Sequence, residues 1–451
     1  MTQELKEHKN NKRGEFMKKR IISLSISVVM AVSLLAGCGS SGQTGESSTD
    51  AAAEVTTAAK EASASGNGLG DLTAFGLPSG DIGSLPELKP VEEFSEEDIE
   101  RIDRAIRAYQ PAFDQAVLVN EAEHFFYYEQ LDTLGKVFYD AMLMVTEDPV
   151  TEDYYVSVNM PSSEEPDVIM EAYKNAYFAM TYDHPELFWL YNTSENYIDI
   201  GTDASGANIY FFMDKPYANF ETEVTAFNRG AQEILSSVDL NGSDYDIAKN
   251  LHDKLCETAS YDHELLTMAQ QGITDLGHTA YGVFVENSRG NAHTAVCDGY
   301  ALAYEYLLQQ VGIDVAFIAG VAGPTESEMG GHAWNVINLD NEWYEVDSTW
   351  DDNVMDMRYD IPSDIDGYEY YMEAYDDPDY YEKVGHFLFC LTTPEISHFV
   401  PGDEYNYTSK DGMYTYSLVS ESFRVRAADA AGMEGESSLS RLTPDATGTK
   451  Y

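Results

Sequence analysis

GHAWNVINLDNEWYEVDSTW, residues 331–350, reads as two strands folded back on each other. Two runs rich in Trp, Val, Ile and Tyr flank the turn signal Leu339-Asp340-Asn341-Glu342, and this pattern marks a β-hairpin. An even-length loop centred between residues 339 and 340 sets His332 directly opposite Asp347, Trp334 opposite Glu345 and Val336 opposite Trp343. Directly opposed residues have Cβ atoms roughly 4.5–5.5 Å apart, close enough for a carboxylate to accept a ring N–H. Asp347 then fixes the tautomer of His332 and leaves the other ring nitrogen to take a proton.

Upstream, AVCDGYALAYEYLLQQVG (295–312) supplies a thiol. Ala303, Tyr304, Leu307, Leu308 and Val311 recur at helical spacing, and Gly312 is a helix stop. Cys297 falls at or just before the first turn. There, unpaired N–H groups and the positive end of the helix dipole favour thiolate over thiol. Gly299 reads as leaving room for a substrate backbone. Most cysteines are small buried hydrophobes, and Cys256 and Cys390 are read that way. Cys297 departs from that reading because a histidine and a carboxylate follow it in hairpin register, which makes the equipment of covalent acyl transfer.

The blocks VCDGYALAY (296–304), GHAWNVI (331–337) and WYEVDSTWDD (343–352) resemble the three motifs of the transglutaminase-like superfamily. IAKNLHDKLCETASYD (247–262) and HTAYGVFV (278–285) extend the resemblance to bacterial members, over about 245–400 in all. It implies an α+β catalytic domain of papain-like, transglutaminase-like fold, with Cys297 as nucleophile, His332 as general base and acid, and Asp347 orienting the histidine. The segment Glu286 to Ala295 is longer than the turn expected there, and no Gln or Trp marks an oxyanion hole. Asn291, Tyr281 and the backbone N–H of Cys297 are the candidate donors.

Lys18, Lys19 and Arg20 precede an apolar run from Ile21 to Leu35 that ends at Leu35-Ala36-Gly37-Cys38. This reads as a signal peptide over 1–38, and the small residues before Cys38 resemble a bacterial lipobox, which implies lipidation of Cys38. A start at Met17 would leave residues 1–16 upstream of it. The expected location is the outer face of the bacterial cell membrane. Residues 39–89, rich in Ser, Gly, Thr and Ala, form a disordered tether. Residues 90–240 read as a smaller α+β accessory domain, 241–407 as the catalytic domain and 408–451 as a polar C-terminal tail.

Within the accessory domain, helices are expected from Ser95, over Ala122–Val145 and over Asn219–Leu235. Strands are expected over Tyr154–Met160, Leu187–Tyr191, Tyr197–Ile200 and Asn208–Met213. Asp183-His184-Pro185-Glu186-Leu187-Phe188-Trp189 reads as a proline turn feeding a buried strand, in preference to a display of exposed aromatics for recognition.

The chain carries 26 basic against 79 acidic side chains, a formal net charge of −53, and the first 38 residues hold 7 of the basic ones. That excludes nucleic acid and anionic lipid surfaces as direct partners and leaves a protein or peptide substrate, wall-associated or basic. No cofactor is expected. Calcium is the alternative use of the acids, but in the loop holding Asp364, Asp366, Gly367 and Glu373 a proline, Pro362, takes the first ligand position. The Asp-rich stretches 351–356 and 376–379 could take an ion only through loop geometry that sequence does not reveal. His252 and His263, or His386 and His398, are too far apart for a zinc motif.

Three functions fit these residues. Hydrolysis of a peptide or wall-associated amide through a Cys297 thioester is preferred. Cross-linking of protein glutamine to an amine uses the same triad, and a non-catalytic surface binding module is the reading from another class.

Overall fold

The computed structural model describes residues 125–146, 154–158, 166–190, 197–203, 206–212, 220–265, 275–360, 363–364, 367–427 and 443–451. The expected signal peptide, Cys38, the tether, the helix from Ser95 and Pro362 lie outside them. The chain divides into two units. One takes residues of Ser79–Thr181 and Thr193–Glu221, the other Tyr182–Asn192 and Thr222–Tyr451.

In the first unit, helices α1 (Phe126–Gln130) and α2 (Thr133–Thr146) replace the single helix expected over 122–145. The break falls at Leu131, whose backbone is extended, and Asp132 caps the restart by accepting from the Gly135 N–H at 2.7 Å. Strands β1 (Tyr154–Val158), β2 (Tyr197–Asp203) and β3 (Gly206–Phe212) form an antiparallel sheet in the order β1-β3-β2. Helix α2 packs on β1 and β3, and α3 (Pro166–Asp183) follows β1 in the chain.

The second unit begins earlier than the expected boundary at 241. Helix α4 (Phe220–Ser237) lies almost wholly in it, and so does the DHPELFWL segment. That segment forms a single 3-10 turn, Phe188–Leu190, rather than a strand, while its burial is as expected. Phe188 stacks on Phe227 (5.3 Å between centroids) and lies 4.6 Å from Tyr281, and Tyr182 stacks on Phe317 at 4.9 Å. The aromatics of this segment therefore fill a core.

Helix α5 (Asp244–Thr258) starts at a capping box in which Ser243 and Asp246 satisfy each other's backbone N–H. Short strands β4 (Ser260–Tyr261) and β5 (Thr294–Ala295) pair in parallel, with helix α6 (Ala280–Phe284) between them in sequence. Helix α7 runs Cys297–Val311 and stops at Gly312, whose left-handed backbone (φ 78°) makes the expected cap.

Then come β6 (Val315–Gly323), β7 (Gly330–Leu339), β8 (Glu342–Val346), α8 (Ser348–Asp360), α9 (Tyr368–Tyr375), α10 (Pro378–Val384), β9 (Phe389–Leu391), α11 (Thr393–Ser397), β10 (His398–Phe399), β11 (Asn406–Thr408), β12 (Thr415–Ser417) and β13 (Ser422–Arg426). The central sheet has the order β10-β13-β6-β7-β8-β9 and is antiparallel throughout, with α7 packed on β6 and β7.

The compact unit therefore does not stop at the expected boundary of 407. Strand β13 lies inside the sheet, beside β6, although its sequence SFRVR reads as polar. Residues 443–451 are also ordered onto this unit. Thr393 donates to the Ala446 carbonyl at 3.0 Å, Gly448 donates to that of Trp343 at 3.1 Å, and Ala446 is fully buried. A tail of polar residues can pack in this way because its backbone groups find partners in the sheet and on α11.

The hairpin register differs from the expected one by two residues. Leu339 pairs with Glu342, so the loop is only Asp340-Asn341, both left-handed (φ 56° and 67°) as a type I′ turn demands. Val336 faces Glu345 rather than Trp343. A shift of two leaves every side chain on its face, and the alternation sets His332, Trp334, Glu345 and Asp347 on one side. Gly320, cross-strand from His332, makes room there: a Cβ would sit 2.6 Å from the Trp334 ring and 2.4 Å from the Val425 carbonyl. The Gly320→Ala variant should therefore lose about 1–3 kcal/mol, read as a fall in Tm relative to the parent chain.

Candidate active site

Asp347 is fully buried just past the end of β8 and is the point on which the site converges. Its Oδ2 lies 2.8 Å from His332 Nε2, so the expected contact forms, but diagonally across the hairpin rather than between directly opposed residues. The carboxylate can only accept, so Nε2 carries the proton and Nδ1 keeps its lone pair. Oδ1 accepts from the Trp350 backbone N–H at 3.2 Å, which ties the start of α8 to the same carboxylate.

Arg424 completes the arrangement. From β13 it donates through Nε to Asp347 Oδ2 at 2.8 Å, and a second guanidinium nitrogen lies 2.6 Å from the same oxygen. Burial would raise the Asp347 carboxyl, but the neighbouring His332 and Arg424 outweigh it and hold its pKa down at about 2. The guanidinium also lies over the Trp350 ring at 4.4 Å, and Trp350 meets His332 edge-on at 5.9 Å. Trp334 stacks on the imidazole, 5.9 Å away, so two indoles contact the ring.

A second buried pair supports this layer. Glu345 accepts from Trp334 Nε1 and from an Arg426 nitrogen, both at 2.6 Å. Arg424 and Arg426 alternate along β13 to the same face. Sequence reasoning missed both, because each was read as part of a tail.

Cys297 is the first residue of α7 and 3% exposed. Asn335 of β7 donates to the Ala301 carbonyl at 3.0 Å, which fixes the first turns of α7 to the strand that carries His332. Behind Cys297, Asp298 is fully buried and accepts from His278 Nδ1 at 2.8 Å. Burial would lower the His278 imidazole, but the Asp298 carboxylate holds it above the ordinary histidine range. Gly299 leaves no space for a substrate: a Cβ there would lie 2.5 Å from the Gly277 carbonyl and 3.0 Å from that of Thr279. Its small size lets the helix start pack on the 277–279 backbone instead.

The long segment 286–295 is a closed turn. Asn287 and Asn291 bond across it, and Arg289 reaches Asp275 at 2.8 Å and also pairs with Asp262. Asn291 is exposed on that turn, and the Tyr281 ring belongs to the aromatic core beside Phe188. Of the three proposed oxyanion donors, neither side chain is therefore placed for the task, and the Cys297 N–H at the helix start remains.

Cys256, Cys297 and Cys390 are in no disulfide. Burial pushes the Cys256 thiol up to about 12 and raises that of Cys390 as well. Four of the acids weighed for calcium are engaged within the fold. Asp351 accepts from Leu388 N–H at 2.9 Å, Asp352 from the Tyr300 hydroxyl at 2.5 Å and Glu373 from the Tyr407 hydroxyl at 3.1 Å. Asp377 caps α10. Cys38 lies outside the described residues. No helix among the described residues is long and apolar enough to cross a membrane.

A helix headed by a thiol and a His-Asp pair on the neighbouring hairpin are the residue types of a thiol enzyme, and a family model covers them. Residues 232–348 match the model of the transglutaminase-like superfamily, so the chain carries a transglutaminase-like domain. Kyphoscoliosis peptidase of Mus musculus and that of Homo sapiens are each 33% identical to it over 67 residues, 13% of this chain and 10% of theirs. The match thus spans about a tenth of the length of these relatives. A solved structure titled "Crystal structure of a TGase" aligns over 44% of this chain and 51% of its own, with 14% identity and a TM-score of 0.24.

Loss of the Arg424 charge should release Asp347. In Arg424→Met the carboxyl pKa rises from about 2, so the acid limb of the stability profile should move to higher pH. The sign follows from linkage: a depressed folded pKa stabilises above the unfolded value near 4 and is lost as pH falls through the folded one. Chemical denaturation across pH 2–6 reads the shift. Coincident profiles for parent and variant would show that Arg424 does not hold Asp347 ionised.

Proposed function

We propose that this protein is a thiol acyl-transfer enzyme acting on a peptide or carboxamide carbonyl, with Cys297 as nucleophile, His332 as general base and acid, and Asp347 as the residue that orients the imidazole. The observation that carries the reading is the 2.8 Å His332–Asp347 bond on the strand to which the Cys297 helix is fixed. Nδ1 of His332 takes the thiol proton, and the thiolate sulfur attacks the carbonyl carbon. The tetrahedral intermediate collapses as His332 returns the proton to the leaving nitrogen, which gives a thioester and ammonia or an amine. Water, deprotonated by His332, then attacks the thioester and releases the acid and the thiol.

Hydrolysis is preferred to cross-linking because transamidation needs a site that excludes water and admits an amine. A binding module without turnover is disfavoured, since it has no use for a buried carboxylate holding a histidine in one tautomer. The lipobox-like sequence supports lipid attachment at Cys38 and a place on the outer membrane face, with a protein or peptide, wall-associated, as substrate. In a bacterial host, labelled fatty acid should enter the parent chain and not Cys38→Ser.

The reaction is read by incubating the protein with a glutamine-containing protein, with and without a labelled amine, and scoring ammonia, incorporated amine and cleaved peptide. Ammonia or cleavage without incorporation is expected, and it should vanish in Cys297→Ala. Asp347→Asn, which keeps the side-chain volume beside Arg424, should lose about 10⁴ in kcat, with folding checked by circular dichroism. Iodoacetamide at neutral pH should label Cys297 far faster than Cys256 or Cys390. Equal labelling of the three would sink the activated-nucleophile assignment.

A further inference from the structure

Away from the hairpin, α5 and the turn after α10 bring His252, Asp253 and His386 together, with one ligand-capable atom of each within 4.8 Å of the others. Each imidazole is committed on its far nitrogen. His386 Nδ1 lies 2.6 Å from the Glu382 carbonyl oxygen, which can only accept, so Nδ1 carries the proton and Nε2 presents a lone pair. His252 Nε2 lies 3.1 Å from Asp351 Oδ2, while Asp351 Oδ1 accepts from Leu388 N–H at 2.9 Å. In the neutral ring, a proton on Nε2 of His252 gives its Nδ1 lone pair to a metal ion as well.

Both lone pairs converge on one carboxylate oxygen. Asp253 Oδ1 is 3.3 Å from His252 Nδ1 and also contacts His386 Nε2. Ring protons on the two imidazoles, donated to Asp253, hold this cluster without a metal, and a metal ion would take the place of those protons. Lys249 does not fill that place, because it bonds the other oxygen, Oδ2, at 2.9 Å and Glu382 at 2.8 Å. The hydrogen-bonded outer nitrogens are the arrangement that orients histidine ligands on a metal.

We propose that His252 Nδ1, His386 Nε2 and Asp253 Oδ1 bind one divalent transition-metal ion, with Zn2+ the best match to two imidazoles and a carboxylate and solvent in the fourth position. Zn–N and Zn–O bonds of about 2.0–2.2 Å need the ligand atoms a little over 3 Å apart, within reach of small rotations from the present geometry. Asp253 is 40% exposed and His386 16%, which gives the ion an entry path, while His252 is buried. The Phe389 ring covers the inner side, 4.9 Å from His252 and 5.7 Å from His386. The ion ties α5 to the turn after α10. Through Asp351 it also braces α8, directly downstream of Asp347.

The test uses the full, untagged chain carrying Cys297→Ala, so that the thiol of the proposed catalytic centre cannot hold the ion. Zn2+ titrated calorimetrically should bind one per chain and raise Tm, and Co2+ in its place should give the visible absorption of a four-coordinate site. His386→Ala and Asp253→Asn, each checked for folding by circular dichroism, should each weaken Zn2+ binding at least tenfold and abolish the Tm rise. No uptake by the Cys297→Ala chain, or undiminished binding in either folded variant, overturns the site.

Discussion

The buried carboxylate of Asp347 is the constraint on which the rest of the site depends. An ion of that kind, taken out of water, costs several kcal/mol unless it is paired and hydrogen-bonded. It receives Nε2–H of His332, two nitrogens of Arg424 and the Trp350 backbone N–H. These groups come from β7, β13 and α8, so satisfying one charge fixes three elements relative to one another. The orientation of the imidazole, and hence the exposure of its Nδ1 lone pair, is a consequence of that same requirement.

The sheet is shaped to let those partners meet. Arg424 must reach from β13 past β6 and β7, and the residues beneath that path are small: Ala322 is its cross-strand neighbour on β6, followed by Gly330 on β7. The next row, Arg426, Gly320 and His332, repeats the pattern two residues on. Gly320 is the place where the Trp334 indole lies against backbone, and the indole in turn bonds Glu345, the partner of Arg426. Two arginine–carboxylate pairs and two indoles therefore lie in one continuous layer, linked by the Trp334–Glu345–Arg426 and His332–Asp347–Arg424 contacts.

How much of this could be read from sequence depends on the range of the interaction. The helix from Cys297 to Gly312 and the hairpin around Asp340-Asn341 are local patterns, and both were legible. The register was missed by two because the type I′ turn uses only the two central residues of the turn signal, but a shift of two preserves faces, so the His332–Asp347 contact survived. Arg424 and Arg426 were not legible as partners, since SFRVR is short, charged and isolated in a polar region. Its period-two alternation was the available signal. The DHPELFWL segment was legible as buried and not as a 3-10 turn, because burial follows from the aromatics while the local backbone is set by packing on Phe227 and Tyr281. The His252–His386 approach joins residues from α5 and the turn after α10, and no local spacing rule could reveal it.

The burial of the three principal residues bears on the fate of a thioester. Cys297 is 3% exposed, His332 2% and Asp347 not at all, so all three lie beneath the surface. Water is the smallest nucleophile and passes wherever a carbonyl has passed, whereas a lysine amine on its chain needs width and an apolar wall to displace that water. The indoles of Trp334 and Trp350 are spent on the imidazole, and the Trp350 face also lies under Arg424. Those surfaces are committed to holding the base, in keeping with the hydrolysis proposed above.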